Sequence, residues 1–232
     1  MKTPCQLPVT LTKTEQRWGF VYLVLALLIL PLALTELNAL LPAPLTDSWL
    51  NILYFSLNFI FTGYIFRGFL RRSLAQAGKH AGKFLLVTII GFGVYYVCSI
   101  LLGILIRTFA SDFANLNDDN IAQQFQEHFL LMAVCTGIMV PVSEELLHRG
   151  LVFGSLYNKN KWLAYGFSAI FFSIIHIAGY LLLYPLPHLL LAFVQYLPAG
   201  LVLAWAYRKS GSIFAPILIH ATVNTVQLLS LR

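Results

Sequence analysis

Long apolar runs alternate with short polar or charged connections along the chain. A helix needs about 20 mostly apolar residues to cross the hydrocarbon core of a membrane, and seven runs approach or exceed that length. They cover residues 18–37, 49–70, 84–106, 129–157, 162–184, 188–207 and 213–231. The pattern predicts an all-α, polytopic bundle of about seven transmembrane helices, or eight if one of the runs holds two.

Some of these runs contain residues that could bend a helix. Pro141 lies in the fourth run, Pro198 in the sixth, and Gly91 and Gly93 lie in the third. Proline lacks a backbone N–H and clashes with the preceding turn, so helices kink or break there, and glycine is the other common site. The fourth run is long enough to contain a break at Pro141, and the third is long enough to contain a kink at Gly91 or Gly93. Both prolines could also border a water-filled cavity, although an ordinary kink explains them equally well.

The composition agrees with a membrane protein. Hydrophobic residues make up 59% of the 232 residues, charged residues only 10%, and the mean hydropathy is +0.77. These values exceed those of a soluble domain of this length. With no internal repeat or low-complexity tract, we expect a single membrane-embedded domain, residues 1–232, whose main partner is the lipid bilayer.

Basic residues collect on one side of the predicted bundle. They concentrate in the N-terminal tail and in the second, fourth and sixth connections, whereas most of the acids outside the runs lie in the others. Cytoplasmic loops carry the excess of Lys and Arg, so the N-terminus is predicted inside and the C-terminus outside. The formal net charge of +6 follows from this bias and from contact with anionic headgroups, and no nucleic-acid partner is expected.

The acidic connection 108–128 is predicted to lie outside and to hold a short surface helix. A lid or a binding loop is one interpretation of this segment, but a solvated connector is favoured.

The fourth run contains an unusual polar segment, VPVSEELLHRG, at residues 140–150. A charged side chain near the bilayer centre costs roughly 2.5–3.5 kcal/mol on insertion scales, so these ionisable groups need partners or water. Residues four apart lie on one face of a helix, which pairs Glu144 with His148 and Glu145 with Arg149. The second pair is a self-neutralising ion pair. A buried polar network that only fixes helix packing is the structural alternative.

Two later runs carry matching polar groups. Phe172 and His176 lie four apart in the fifth run, and His220 and Asn224 lie four apart in the seventh. Counting about 1.5 Å per residue from the predicted inner boundaries places Glu144, His176, His220 and Asn224 at similar depths. We therefore expect these side chains, from three different helices, to meet in one layer.

These three motifs, Glu144-Glu145-x-x-x-Arg149, Phe172-x-x-x-His176 and His220-x-x-x-Asn224, resemble the signature motifs of the CAAX protease and bacteriocin-processing (Abi) family. Their order and spacing agree with that family. The resemblance covers residues 129–227, and each motif alone is weak because four-residue spacings are common in helices.

The resemblance implies an intramembrane endopeptidase of the bacterial plasma membrane. Glu144 is then the general base, assisted by His176, while His220 and Asn224 stabilise the oxyanion. The supporting residues are Glu145, Arg149 and Phe172. This chemistry is sound without the resemblance, since peptide hydrolysis needs a base for water and N–H donors for the developing oxyanion. The substrate is expected to be a peptide or a lipidated protein, but no residue distinguishes prenylated C-termini, pheromones and bacteriocins.

Other functions fit less well but stay open. A zinc peptidase could use Glu144, His148, His176 and His220, but the sequence contains no H-E-x-x-H, so we expect no metal and no other cofactor. An immunity or scaffold protein of the same family would bind a peptide in the same pocket. A small transporter could use a proton-coupled glutamate but would not need the His and Asn pair. The sequence contains no G-x-S-x-G motif, and no aspartate lies within a run. Both observations disfavour a serine or an aspartyl peptidase.

Overall fold

The computed structural model describes residues 6–230, which form helices and no strands. The helices are α1 (Lys13–Ala39), α2 (Asp47–Ile65), α3 (Arg67–Lys79), α4 (Ala81–Phe109), α5 (Leu116–Glu127), α6 (Phe129–Tyr157), α7 (Lys161–Ala178), α8 (Leu186–Ser210) and α9 (Phe214–Leu229). The predicted all-α bundle is confirmed.

The number of candidate membrane spans agrees with the sequence pattern. Five helices are long and apolar enough to cross a membrane: α1, α4, α6, α7 and α8. The bent pair of α2 and α3 adds a sixth, and the shorter apolar helix α9 corresponds to the seventh run. The chain is therefore an integral membrane protein with about seven spans.

The second span ends earlier than predicted. Helix α2 stops at Ile65, and α3 leaves it at an angle of 75°. Phe66 at the junction has φ −98° and ψ 14°, outside the α-helical region. Hydropathy alone extended the predicted run to residue 70, because hydropathy does not reveal a change in backbone direction. Helix α3 carries Arg67, Arg71 and Arg72 and is too polar to continue through hydrocarbon.

The fifth span also ends earlier than predicted, at Ala178 instead of residue 184. Turns occupy residues 179–183, and α8 starts directly after Pro185 with Pro187 in its first turn. Proline disfavours the helical conformation in the residue before it, so the apolar run cannot continue as one helix into α8.

Helix α6 is not broken at Pro141, and α4 is not broken at Gly91 or Gly93. Helix α4 is continuous past Gly91 and Gly93, and a Cβ at Gly91 would lie 2.5 Å from Cδ1 of Ile219. Gly91 thus permits close packing of α9 on α4. Helix α6 continues through Pro141 but contains two π-helical segments, Cys135–Met139 and Leu146–Phe153. The wide turns accommodate the proline without interrupting the helix.

Helix α6 lies at the centre of the bundle. In the most apolar 18-residue stretch of α6, 50% is buried by other parts of the protein, whereas the corresponding share for α4 is 11%. Helices α7 and α8 pack closely against each other, because Gly200 of α8 leaves room for the α7 backbone: a Cβ there would lie 2.4 Å from Cα of Ala169. The central helix therefore carries the polar segment 140–150 into the interior.

Candidate active site

The four predicted catalytic residues line one cavity of about 620 Å³. Glu144 comes from α6, His176 from α7, and His220 and Asn224 from α9. Side chains of α1, α2, α4, α5 and α8 complete the wall. The structure thus brings together residues that are up to 80 positions apart in the sequence.

Glu144 and His176 face each other across part of this cavity. The distance from Oε2 of Glu144 to Nε2 of His176 is 3.8 Å. Nδ1–H of His176 donates to the backbone carbonyl of Phe172 at 2.8 Å, which fixes the proton on Nδ1 and turns Nε2 toward the carboxylate. The Glu144 side chain is 26% exposed, and its Oε2 has no hydrogen-bond partner within residues 6–230.

The imidazole of His176 contacts two aromatic rings. The ring centroids of Phe172 and Tyr196 are each 4.3 Å from its centroid. Tyr196 was not predicted from the sequence. The Gln195-Tyr196 pair inside an apolar run was the available signal, but the contact depends on how α7 and α8 pack.

Glu145 connects two of the predicted groups through one oxygen atom. Its Oε1 accepts from Nη1 of Arg149 at 2.7 Å and from Nδ1 of His220 at 2.9 Å. The side chains of Glu145 and Arg149 are fully buried. Their predicted pairing is present, and the further contact to His220 ties this ion pair to the cavity.

Phe172 packs against several of these polar groups. The guanidinium of Arg149 lies 4.4 Å from the centroid of the Phe172 ring, within cation–π range. The rings of His176 and His220 lie 4.3 Å and 6.0 Å from the same ring. Phe172 therefore contacts both the buried cation and the two histidines.

Asn224 is held by the backbone of α6. Its Nδ2 donates to the carbonyl oxygen of Thr136 at 2.9 Å. Nothing in the sequence predicted this contact, because it depends on which backbone carbonyl of α6 is left free.

His148 does not line the cavity that contains Glu144. It is buried, and its ring packs edge-on against Phe171 and Phe172 at 5.5 Å and 5.4 Å.

The residues considered for zinc do not form a ligand set. Among the described residues, no three His, Cys, Asp or Glu side chains are placed to hold a metal ion. His148, one of the four residues considered, lies among aromatic rings. Fewer than three of these four side chains therefore lie close enough together to share a metal ion.

Helix α5 closes one side of the cavity and is more than the solvated connector that we favoured. Asn117, Asp118 and Asn120 all line the cavity. Asn115, the N-cap of α5, donates from Nδ2 to Oε1 of Gln195 at 2.8 Å. The predicted short helix is confirmed, and it contributes polar atoms to the site.

Asp118 is the cavity-lining acid of α5 with a shifted pKa. Burial raises the pKa of its carboxyl to about 6, while hydrogen bonds from Gln227 and Tyr196 act in the opposite direction. Its Oδ1 lies 3.5 Å from the hydroxyl of Tyr196. The end of the cavity formed by α5 therefore holds a carboxyl that titrates near neutral pH.

Comparisons with known proteins agree with this site. Residues 126–226 match the family model described as "Type II CAAX prenyl endopeptidase Rce1-like". That part of the chain is therefore similar to this family. The match contains all three motifs, and it confirms the resemblance to the CAAX protease and bacteriocin-processing family.

Two curated bacterial proteins are each similar to part of the chain. One is "UPF0177 protein YxdF" of Lactococcus lactis subsp. lactis (strain IL1403), 36% identical over 88 residues, which are 38% of this chain and 43% of that protein. The other is "Putative membrane peptidase YdiL" of Bacillus subtilis (strain 168), 33% identical over 96 residues, which are 41% of this chain and 35% of that protein. The chain thus matches less than half of the length of either relative. No solved structure gives a significant match.

Proposed function

We propose that the protein is an intramembrane endopeptidase of the bacterial plasma membrane that hydrolyses a peptide bond in a membrane-associated protein or peptide. One observation carries the proposal: Oε2 of Glu144 and Nε2 of His176 lie 3.8 Å apart at a cavity within the matched family region. The name of the Bacillus subtilis relative, a membrane peptidase, supports the same class of reaction.

In this proposal Glu144 and His176 activate water together. Their separation of 3.8 Å is too long for a direct hydrogen bond and short enough for one bridging water molecule. With the proton of His176 on Nδ1, both Nε2 and the carboxylate are acceptors, so a water molecule donates to each. Attack on the peptide carbonyl transfers the water proton to Glu144, which then protonates the leaving amine.

His220 and Asn224 stabilise the oxyanion in the same proposal. Nδ1 of His220 already donates to Glu145, so Nε2 carries a proton only in the imidazolium form. The carboxylate of Glu145, which accepts from both His220 and Arg149, stabilises that cation against repulsion by the neighbouring guanidinium. The amino group of Asn224 supplies the second donor, because one of its two N–H bonds is free of Thr136.

The substrate is proposed to be a peptide or a lipidated protein of the CAAX, pheromone or bacteriocin type. The cavity wall combines aromatic and aliphatic side chains with carboxamides, including Tyr54, Phe55, Leu228, Asn51 and Gln227. Such a lining suits a short extended peptide, whose backbone needs polar partners and whose side chains are mainly apolar.

A comparison of protein termini tests the proposal. Membranes from cells that produce the wild type, Glu144→Gln or the control Glu36→Gln are compared by mass spectrometry for new N- and C-termini. Glu36 is an exposed acid of α1 that does not line the cavity. We expect cleavage products with the wild type and the control that are absent with Glu144→Gln. Identical termini in all three samples would favour an immunity or scaffold protein.

A further inference from the structure

The backbone of α6 leaves one carbonyl group without a backbone partner near the site. In the π-helical segment Cys135–Met139, the N–H of Val140 donates to the carbonyl of Cys135 instead of that of Thr136. The next N–H that could reach Thr136 in a π-helical turn belongs to position 141, which is proline and has none. Both helical donors for the carbonyl of Thr136 are therefore missing.

Asn224 supplies the missing hydrogen bond. Its Nδ2 lies 2.9 Å from the carbonyl oxygen of Thr136, and Thr136 is only 5% exposed. A buried carbonyl without a partner is costly, so this bond is strongly favoured. It also selects one orientation of the carboxamide, since a carbonyl oxygen accepts from the amino group and not from Oδ1.

The same arrangement occurs a second time in the chain. Helix α1 contains a π-helical segment, Leu25–Ile29, in which the N–H of Leu30 donates to the carbonyl of Leu25 and Pro31 follows. There the carbonyl of Ala26 accepts from the hydroxyl of Tyr54 at 3.1 Å. In both helices a proline placed six residues after the start of the π-helical segment frees the second carbonyl of that segment for a side chain.

We infer that Pro141 is a positioning residue that orients Asn224 through the carbonyl of Thr136. This inference rests on the proposed function, in which the amino group of Asn224 faces the oxyanion. Pro141 does not line the cavity and acts by withholding a competing N–H from the carbonyl. The carboxamide of Asn224 is thereby anchored with one N–H on Thr136 and the other available to the substrate.

The substitution Pro141→Ala supplies the N–H that is missing. This N–H can donate to Thr136 across a π-helical turn, or the segment can return to α-helical bonding with Val140 as the donor. Either change satisfies the carbonyl from within α6 and leaves the carboxamide of Asn224 free to rotate. Pro141→Ser supplies the same N–H and serves as a second variant if Pro141→Ala does not accumulate.

A double-mutant cycle tests the inference. The wild type, Pro141→Ala, Asn224→Ala and the double variant are reconstituted in lipid vesicles, and kcat and KM are measured on a peptide that the wild type cleaves. We expect Pro141→Ala to lower kcat by roughly 10- to 100-fold with KM within about twofold, since an oxyanion donor acts in the transition state. In the Asn224→Ala background, Pro141→Ala should change kcat by less than about twofold. Pro31→Ala, the matched proline of α1, should have the same effect on kcat in both backgrounds.

Thermal unfolding of the same variants gives a readout that does not need activity. Asn224→Ala leaves the Thr136 carbonyl unpaired and should lower the Tm, and the decrease should be smaller when Pro141→Ala supplies a new donor. Independent effects of Pro141 and Asn224 on both kcat and Tm would overturn the inference while leaving the proposed function intact. A different result would overturn only the proposed function. In that case the wild type shows no Glu144-dependent cleavage, while the effects of Pro141→Ala and Asn224→Ala on Tm still depend on each other.

Discussion

Nδ1 of His220 lies 2.9 Å from Oε1 of Glu145, the same oxygen that accepts from Nη1 of Arg149 at 2.7 Å. A single buried carboxylate therefore holds both a structural cation of α6 and the histidine of α9 that faces the cavity. Glu144, the preceding residue, points instead to His176, and its side chain is 26% exposed. Adjacent glutamates thus occupy different environments, which predicts different consequences when each is substituted.

Glu145→Gln should destabilise the fold. A neutral carboxamide leaves Arg149 buried without a counter-charge and weakens the bond to His220, and breaking a buried pair costs roughly 3–5 kcal/mol. Denaturant unfolding in detergent micelles measures this loss. Glu144→Gln is the matched variant, because its side chain is partly exposed and carries no ion pair as close as that of Glu145, and it should unfold near the wild type. If Glu144→Gln unfolds readily while Glu145→Gln only loses activity, the two roles are exchanged.

His220→Ala and Asn224→Ala should each lower turnover far more than substrate binding. Both side chains are proposed to donate to charge that develops only in the transition state, and losing one such donor costs roughly 10²–10³-fold in kcat. Steady-state kinetics on one cleaved peptide separate kcat from KM. An increase in KM with unchanged kcat for either variant would assign that residue to substrate binding.

Much of this arrangement could be predicted from the sequence because it depends on local spacing. Runs of apolar residues predict the spans, and a spacing of four predicts the pair Glu145 and Arg149. The bend at Phe66 was missed because hydropathy does not register backbone direction. The bond from Asn224 to Thr136 and the packing of Tyr196 on His176 were also missed, since both depend on contacts between helices and on the π-helical register of α6.

Asp118→Asn should remove a pH dependence of stability. Burial raises the pKa of Asp118 from its ordinary 3.8 to about 6, so the folded protein binds this proton more tightly than the unfolded chain does. Ionisation of Asp118 therefore destabilises the folded state increasingly as the pH rises from about 4 to about 6. This destabilisation stays constant above that range. The groups that face the carboxyl are Tyr196 and Gln227 on the neighbouring helices and Asp119 on its own helix.

Thermal unfolding of this variant between pH 4 and pH 8 provides the measurement. Asp118→Asn should be more stable than the wild type at pH 7.5, by roughly 1–2 kcal/mol after allowance for partial exposure, and the difference should shrink toward pH 4. Asp119→Asn, an exposed position on the same helix, is the control and should keep the pH dependence of the wild type. A difference between Asp118→Asn and the wild type that is constant with pH would contradict the shifted pKa.

Activity should survive treatment with strong zinc chelators. No metal ligand set is present among residues 6–230, and the proposed base and oxyanion donors act without one. Activity assays after chelation, together with metal analysis of the purified protein, test this expectation. Stoichiometric zinc that is lost together with activity in both His176→Ala and His220→Ala would instead establish a zinc peptidase and remove His220 from the oxyanion site.

The central claim is that Glu144 and His176 activate water for peptide hydrolysis, and its most direct test is kcat for purified protein in lipid vesicles. The wild type, Glu144→Gln, His176→Gln and the control Glu36→Gln are compared on one peptide substrate, each after its thermal unfolding shows that it is folded. General acid–base groups contribute roughly 10²–10⁴-fold, so Glu144→Gln and His176→Gln should each lose at least about 10²-fold in kcat while the control matches the wild type. A folded Glu144→Gln variant that cleaves within about tenfold of the wild-type rate would contradict the claim.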